Sequence, residues 1–147
     1  METQGLILTH PDGVHLKGDY TADDMETTTT WTETWAGNWA APINGDVCAT
    51  KRGDIKCVKI VTPIAGPGDG VSNLQITSTV HIPEAFRPTL TDHFETMLVI
   101  DNAVEVYGMI QIEVATGRMT VSVGANAAAF AITANAVGFA PTTITYI

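Results

Sequence analysis

Short runs rich in Val, Ile and Thr recur along the whole chain, and Gly, Pro, Asn or Asp interrupts each one before it reaches helix length. That punctuation constrains the fold more than any other feature. Val 13, Ile 13 and Thr 22 together supply 48 of the 147 residues, against only 6 Leu. β-Branched side chains stiffen at χ1 and fit a pleated surface, so the chain reads as all-β, with about ten short antiparallel strands. That number suits a two-sheet sandwich or jelly roll.

The length is that of one domain with a core of its own. Seven Lys plus Arg against sixteen Asp plus Glu leave a net charge of −9, so there is no basic footprint for nucleic acid or anionic lipid. No apolar run is long enough to insert into a membrane, and Met1-Glu2-Thr3-Gln4 shows no signal-peptide pattern. Two cysteines do not make a disulfide scaffold.

Along the chain, His10-Pro11-Asp12-Gly13 predicts a turn between Leu6-Ile7-Leu8 and Val14-His15-Leu16. The acidic stretch from Asp19 to Glu26 and the four threonines after it read as a lead-in, so residues 1–30 are expected to form an arm or shaft end and residues 31–147 the domain. Trp31, Trp35 and Trp39 recur every four residues, but the Thr run before them, Gly37-Asn38 between them and Pro42 after them favour a strand to Trp35 and then a turn. Packing is the plainer role for these rings, and a sugar-stacking platform the sharper one.

Strands are expected at 47–50 and 55–62 around a four-residue loop, Lys51 to Asp54, a register that would set Cys48 opposite Cys57. Two free, half-buried thiols are favoured over a bridge there. Residues 63–73 read as a surface loop and Leu74 to Ile82 as an alternating strand. Phe94 to Asp101 and Val104 to Val114 form a hairpin across Asn102-Ala103, followed by a strand from Arg118 to Val123. Residues 125–136 read as a further strand, and Thr142 to Ile147 as the closing one, with its last residue inside the sheet.

Catalytic chemistry is not visible. Ser72, Ser78, Ser122 and four histidines sit in no nucleophile motif, and Asp19, Asp23, Asp24 and Glu26 lack the spacing and glycine of a calcium loop. A depolymerase would need paired carboxylates from among Glu84, Glu95, Glu105 and Glu113, and the sequence pairs none of them. No enzyme, metal or cofactor is expected. Arg52-Gly53-Asp54 spells an integrin-read tripeptide, but Gly-Asp is also ordinary turn chemistry.

Several pieces, in order, carry a resemblance: Trp31-Thr-Glu-Thr-Trp35-Ala-Gly-Asn-Trp39-Ala-Ala-Pro42, Lys51-Arg-Gly-Asp-Ile55, Ile82-Pro-Glu-Ala-Phe-Arg-Pro88, Tyr107-Gly-Met-Ile-Gln-Ile112, Thr116-Gly-Arg-Met-Thr-Val121, and Gly138-Phe139 through Ile144-Thr-Tyr146. From about Trp31 to Ile147 the chain resembles the C-terminal head of trimeric fibre or spike proteins of bacteriophages and related large DNA viruses. That resemblance implies a trimeric jelly roll similar in shape to C1q and tumour-necrosis-factor modules. It further implies a non-enzymatic virion component, assembled in the host cytoplasm, that attaches to a host-surface receptor, a glycan being one candidate. The Gly-Asp turn would then be a structural hairpin. Lys56 departs from the pattern, falling where an apolar strand residue is expected. A cellular C1q-like or lectin-like carbohydrate-binding module is the alternative.

On this reading the receptor contacts lie in loops away from the N-terminus: Gly66, Pro67, Asp69, Val71, Ser72 and Asn73 first, then Glu84 and Arg87, then Asn126. Met97-Leu98-Val99-Ile100 is apolar on both strand faces, and Tyr107 to Val114 has a mixed outer face, so Tyr107, Met109, Met97 and Val99 are expected at a homotrimer interface.

Overall fold

In the computed structural model, which describes residues 26–147, ten antiparallel strands form one continuous sheet in the order β10-β3-β2-β1-β5-β8-β7-β6-β9-β4. Their ranges are β1 Thr27–Ala36, β2 Ile43–Arg52, β3 Ile55–Ile60, β4 Ile64–Pro67 and β5 Ile76–Ser78. The remainder are β6 His93–Asp101, β7 Val104–Ile112, β8 Met119–Val123, β9 Ala136–Phe139 and β10 Thr142–Tyr146. The fold is all-β, as the β-branched composition requires. The only helical piece among the described residues is one 3-10 turn, Glu84–Phe86.

The two layers are halves of this one sheet, joined through the three-residue strand β5. The sheet curls until β1 meets β9 across the core, with the Trp35 and Phe139 rings edge to face at 5.1 Å. Trp35, Ile60, Ile64, Ile76, Ile110, Ile112 and Phe139 are all fully buried there. Gly138, at φ +152°, has no room for a side chain, because an added Cβ would run into Ile64 O of the neighbouring strand.

Several expected boundaries move. The β2–β3 hairpin has a two-residue turn, Gly53-Asp54, with Gly53 at φ 58°, and its register pairs Arg52 with Ile55. Cys48 therefore faces Lys59 and Cys57 faces Thr50, and the opposed cysteine pair does not exist. Both are free, half-buried thiols, as favoured. Primed turns match the strand twist and need positive φ, which Gly supplies at no steric cost, so the tight turn wins over the four-residue loop.

Residues 64–67 of the expected loop form β4. Pro67 is tolerated because β4 is a terminal strand with one unpaired edge. The expected strand from Leu74 to Ile82 shrinks to β5, leaving Leu74 and Val80 exposed. Residues 125–136 are not a strand. Apart from the single bridge Val123–Ala128 they run as turn and loop until β9 begins at Ala136, and their alanines offer no β-branched surface to hold a ladder. β1 starts four residues ahead of Trp31, with Thr27 to Thr30 pairing Lys51 to Cys48. β10 stops at Tyr146, and Ile147 is exposed. The expected opening hairpin and most of the acidic stretch lie outside the described residues. The Phe94–Val114 hairpin forms as expected, with Asn102 and Ala103 both at positive φ.

Lys56 does take an inward strand position. Its stem is buried, and its ammonium donates to Arg87 O at 2.6 Å and Thr89 Oγ at 2.8 Å. Burial, then the neighbouring Lys51 charge, lowers its pKa.

Candidate functional site

The strand directions give the molecule two ends. At the base, Thr27 of β1 pairs Lys51 beside the Gly53-Asp54 turn, and the 83–92 segment lies against the same hairpin through Lys56. At the cap, the 37–42 connection, the 68–75 loop, the Asn102-Ala103 turn and residues 130–135 converge.

Asn38 is the hub of the cap. It is fully buried, donates through Nδ2 to Phe130 O at 3.1 Å and Ala131 O at 3.0 Å, and accepts Leu74 N at 2.7 Å. Its carbonyl accepts Asp69 N at 2.8 Å. One buried amide thus pins three loops, because its carbonyl and NH2 satisfy backbone groups that no ladder reaches. Asn102 Oδ1 gathers Thr133 Oγ1 at 2.6 Å and Asn135 Nδ2 at 2.8 Å, and Asp101 Oδ1 accepts Ala131 N at 2.9 Å. The cap is a braced polar surface.

Glu33 is fully buried below it on β1. Its carboxylate accepts five N–H donors: Thr34, Thr79, Val80 and His81 backbone amides and Trp31 Nε1, between 2.6 and 3.1 Å. A carboxylate so fully committed holds the 79–81 segment, with His81 at φ 75°, and has no lone pair left for a ligand.

The expected receptor-loop residues divide between the two ends. Gly66 and Pro67 belong to edge strand β4, and Asp69, Val71, Ser72 and Asn73 sit on the cap. Asn126 is exposed on the 124–127 turn, which Gln75 Nε2 reaches at Ala127 O. Glu84 and Arg87 lie at the base instead, in a groove with Lys51 and Lys56. Several of these side chains brace the fold. Asp69 accepts Val71 N, Ser72 N and the Ser72 hydroxyl, and Asn73 Nδ2 donates to Phe130 O. Arg87 donates to Ile82 O and Ala115 O. Val71, at 77% exposure, is the most open apolar side chain of the loop.

The four expected interface residues also divide. Met97 and Val99 point into the chain's own core, and strand alternation puts their neighbour Leu98 outside. Leu98 (47% exposed) lies opposite Tyr107 (76%), with Phe94 (53%) and half-buried Met109 beside them on one outer face of β6–β7. Trp35 and Trp39 are core side chains, which removes them as a sugar platform.

Among the described residues, no three of His, Cys, Asp and Glu are grouped to hold a metal ion, and no helix is long and apolar enough to cross a membrane. Ser78 Oγ accepts Met119 N, and His93 Nε2 lies 3.2 Å from Glu95 Oε2. Glu113 is tied to Thr116 and Arg118. Ser78, the His93–Glu95 pair and Glu113 therefore serve separate local structures.

The braced polar ends, the buried Asn38 and the partners of the inward Lys56 were not legible as such. A Gly-Asn turn signal marks a bend, but whether its amide is buried depends on loops as far away as residues 130–131.

No family model matches the chain, and no curated protein matches it in sequence. Among solved structures it is similar to a reovirus attachment protein, sigma1, determined in complex with alpha-2,3-sialyllactose, at 14% identity and a TM-score of 0.49. The match covers 82% of this chain and 65% of that one, so the likeness extends over less than two thirds of the attachment protein chain.

Proposed function

We propose that the chain is the head of a viral fibre or spike, a non-enzymatic virion component that assembles as a homotrimer and presents its cap to a host-surface receptor. The observation that carries this reading is the polarity of the molecule. Thr27, which follows the acidic lead-in, pairs at the base, and the rigidified polar loops stand at the opposite end. A module built to display a surface away from its attachment point needs that separation, and recognition then lives in loops held by a stable scaffold. The largely apolar outer face of β6–β7 supplies a flank for neighbouring copies, with Tyr107 and Met109 joined there by Phe94 and Leu98 and with Glu105 at its cap end. Glu84 and Arg87, on the base, and Gly66 and Pro67, in edge strand β4, leave the proposed receptor set, which becomes Asp69 to Asn73 with Asn126.

A glycan array probed with the purified oligomer tests the receptor reading, alongside a variant carrying a Gly-Ser stretch over residues 69–73. Selective binding that the variant loses at unchanged oligomer mass is expected. Selective binding that survives replacement of both the 69–73 and 124–127 loops would remove the cap as the site. Host-cell attachment measured with the same pair extends the test to protein receptors.

A further inference from the structure

Lys51 and Lys56 are direct cross-strand partners in the β2–β3 ladder, an arrangement in which like charges repel. The pair is not splayed into solvent: Lys56 is 7% exposed. Its ammonium meets two neutral acceptors, Arg87 O and Thr89 Oγ, and an ammonium carries three donors, so one N–H remains. Arg87 commits Nε and one terminal nitrogen to Ile82 O and Ala115 O, leaving the outer N–H groups of its guanidinium fork.

These three cations line a groove of about 460 Å³ at the base, against two carboxylates, Asp54 and Glu84. Three minus two leaves a local surplus of one positive charge in a chain whose net charge is −9. Among the described residues, none of the three cations forms an ion pair. A buried ammonium facing another lysine is costly until an anion lies between them.

We propose that this groove is a binding site for a single oxyanion, a carboxylate, sulfate or phosphate group, held between Lys51, Lys56 and the outer edge of the Arg87 guanidinium. Charge-assisted N–H···O⁻ bonds from a fork and two ammoniums are the chemistry such groups select, and the Thr89 hydroxyl adds a neutral contact. The site is separate from the cap and does not depend on what the cap binds. Two sources share this chemistry: a free anion, or the carboxylates of Asp19, Asp23 and Asp24, which precede β1 in sequence.

The test is a titration of the full chain with sodium phosphate at constant ionic strength, following the backbone amides of Lys51, Lys56, Thr89 and Ala115 by NMR. Saturable shifts confined to the groove are expected, with affinity falling about tenfold in Lys51→Gln, a half-exposed position whose change spares the core. Lys56→Met, which keeps the buried stem, should abolish saturation. Shifts that rise linearly without saturating, or equal affinity in wild type and Lys51→Gln, would overturn the site. Changing Asp19, Asp23 and Asp24 together to Asn separates the sources. Tighter phosphate binding in that variant identifies the chain's own carboxylates as competitors, and unchanged affinity identifies a site for an external anion.

Discussion

The outer face of β1–β2 and the outer face of β6–β7 back onto one core in one sheet, yet their chemistry is opposite. On the first, Thr28, Thr30, Thr32 and Thr34 look outward from β1, with Thr32 donating to Asp46 and Thr34 to Asn44 across the ladder. On the second, Phe94, Leu98, Tyr107 and Met109 look outward, with a single carboxylate, Glu105, at the cap end of the face. A threonine row keeps β propensity while satisfying its hydroxyls with neighbours and water, so that face is complete alone. The aliphatic and aromatic row is not, because its side chains leave apolar area in contact with water. In a chain of net charge −9, two copies can approach with least repulsion where carboxylates are few.

The largest expected effect breaks what the two faces share. Trp35→Ala removes the ring that meets Phe139 across the curl, and a loss of about 3–5 kcal/mol in denaturant unfolding is expected, with both halves of the sheet melting together. Separate transitions for the two halves would show two cores instead of one. Trp35→Phe should cost less than the lost volume suggests, since Trp35 Nε1 is a buried donor without a partner among the described residues.

Next in size is a charge placed on each face in turn. Tyr107→Lys should weaken self-association by at least about tenfold by light scattering while leaving the monomer fold intact, because a buried unpaired ammonium opposes the contact. Thr30→Lys, on the threonine face, should leave the mass unchanged. Equal loss of mass from both variants would erase the distinction between the faces.

A smaller gain is expected at the β6–β7 turn, where Ala103 is held at φ 62°. Ala103→Gly relieves that strain and should raise stability by roughly 0.5–1 kcal/mol, seen as a higher denaturant midpoint with an unchanged slope.

The smallest effect is local to the cap. The Ser72 hydroxyl, then the Ser72 and Val71 amides, hold the Asp69 carboxyl below the usual carboxylate range. A folded-state pKa that is depressed contributes order that is present above the unfolded value and lost as pH falls through the folded one. Exchange at the Val71 and Ser72 amides should therefore quicken below about pH 4 relative to the Ala49 core amide, after correction for intrinsic rates. Parallel acceleration at both places would tie the loop to global unfolding.

Strand content, the all-β class and the Asn102-Ala103 hairpin were legible because they depend on residues close in sequence: β-branched runs, alternation and turn chemistry. The hairpin at Gly53-Asp54 was legible as a turn, but its loop length was not. The four-residue and two-residue versions keep the same residues on the same face and differ only in pairing, which the rest of the sheet selects. Met97 and Val99 show the same limit from the other side. Sequence marks Met97 to Ile100 as apolar on both faces, and only the curl of the sheet says which parity meets the core and which meets another surface.

The sequence by itself determined the all-β class, the long strands and the hairpin turns, because period-two alternation and positive-φ residues act through neighbours along the chain. It did not separate strand β4 or the 125–135 loop from their surroundings. The tertiary structure alone decided where polar groups end up. Asn38, Glu33 and Lys56 are buried because loops remote in sequence bring backbone carbonyls and amides to them, and no local pattern records a hydrogen-bond partner that lies 92 residues away, as Phe130 does from Asn38.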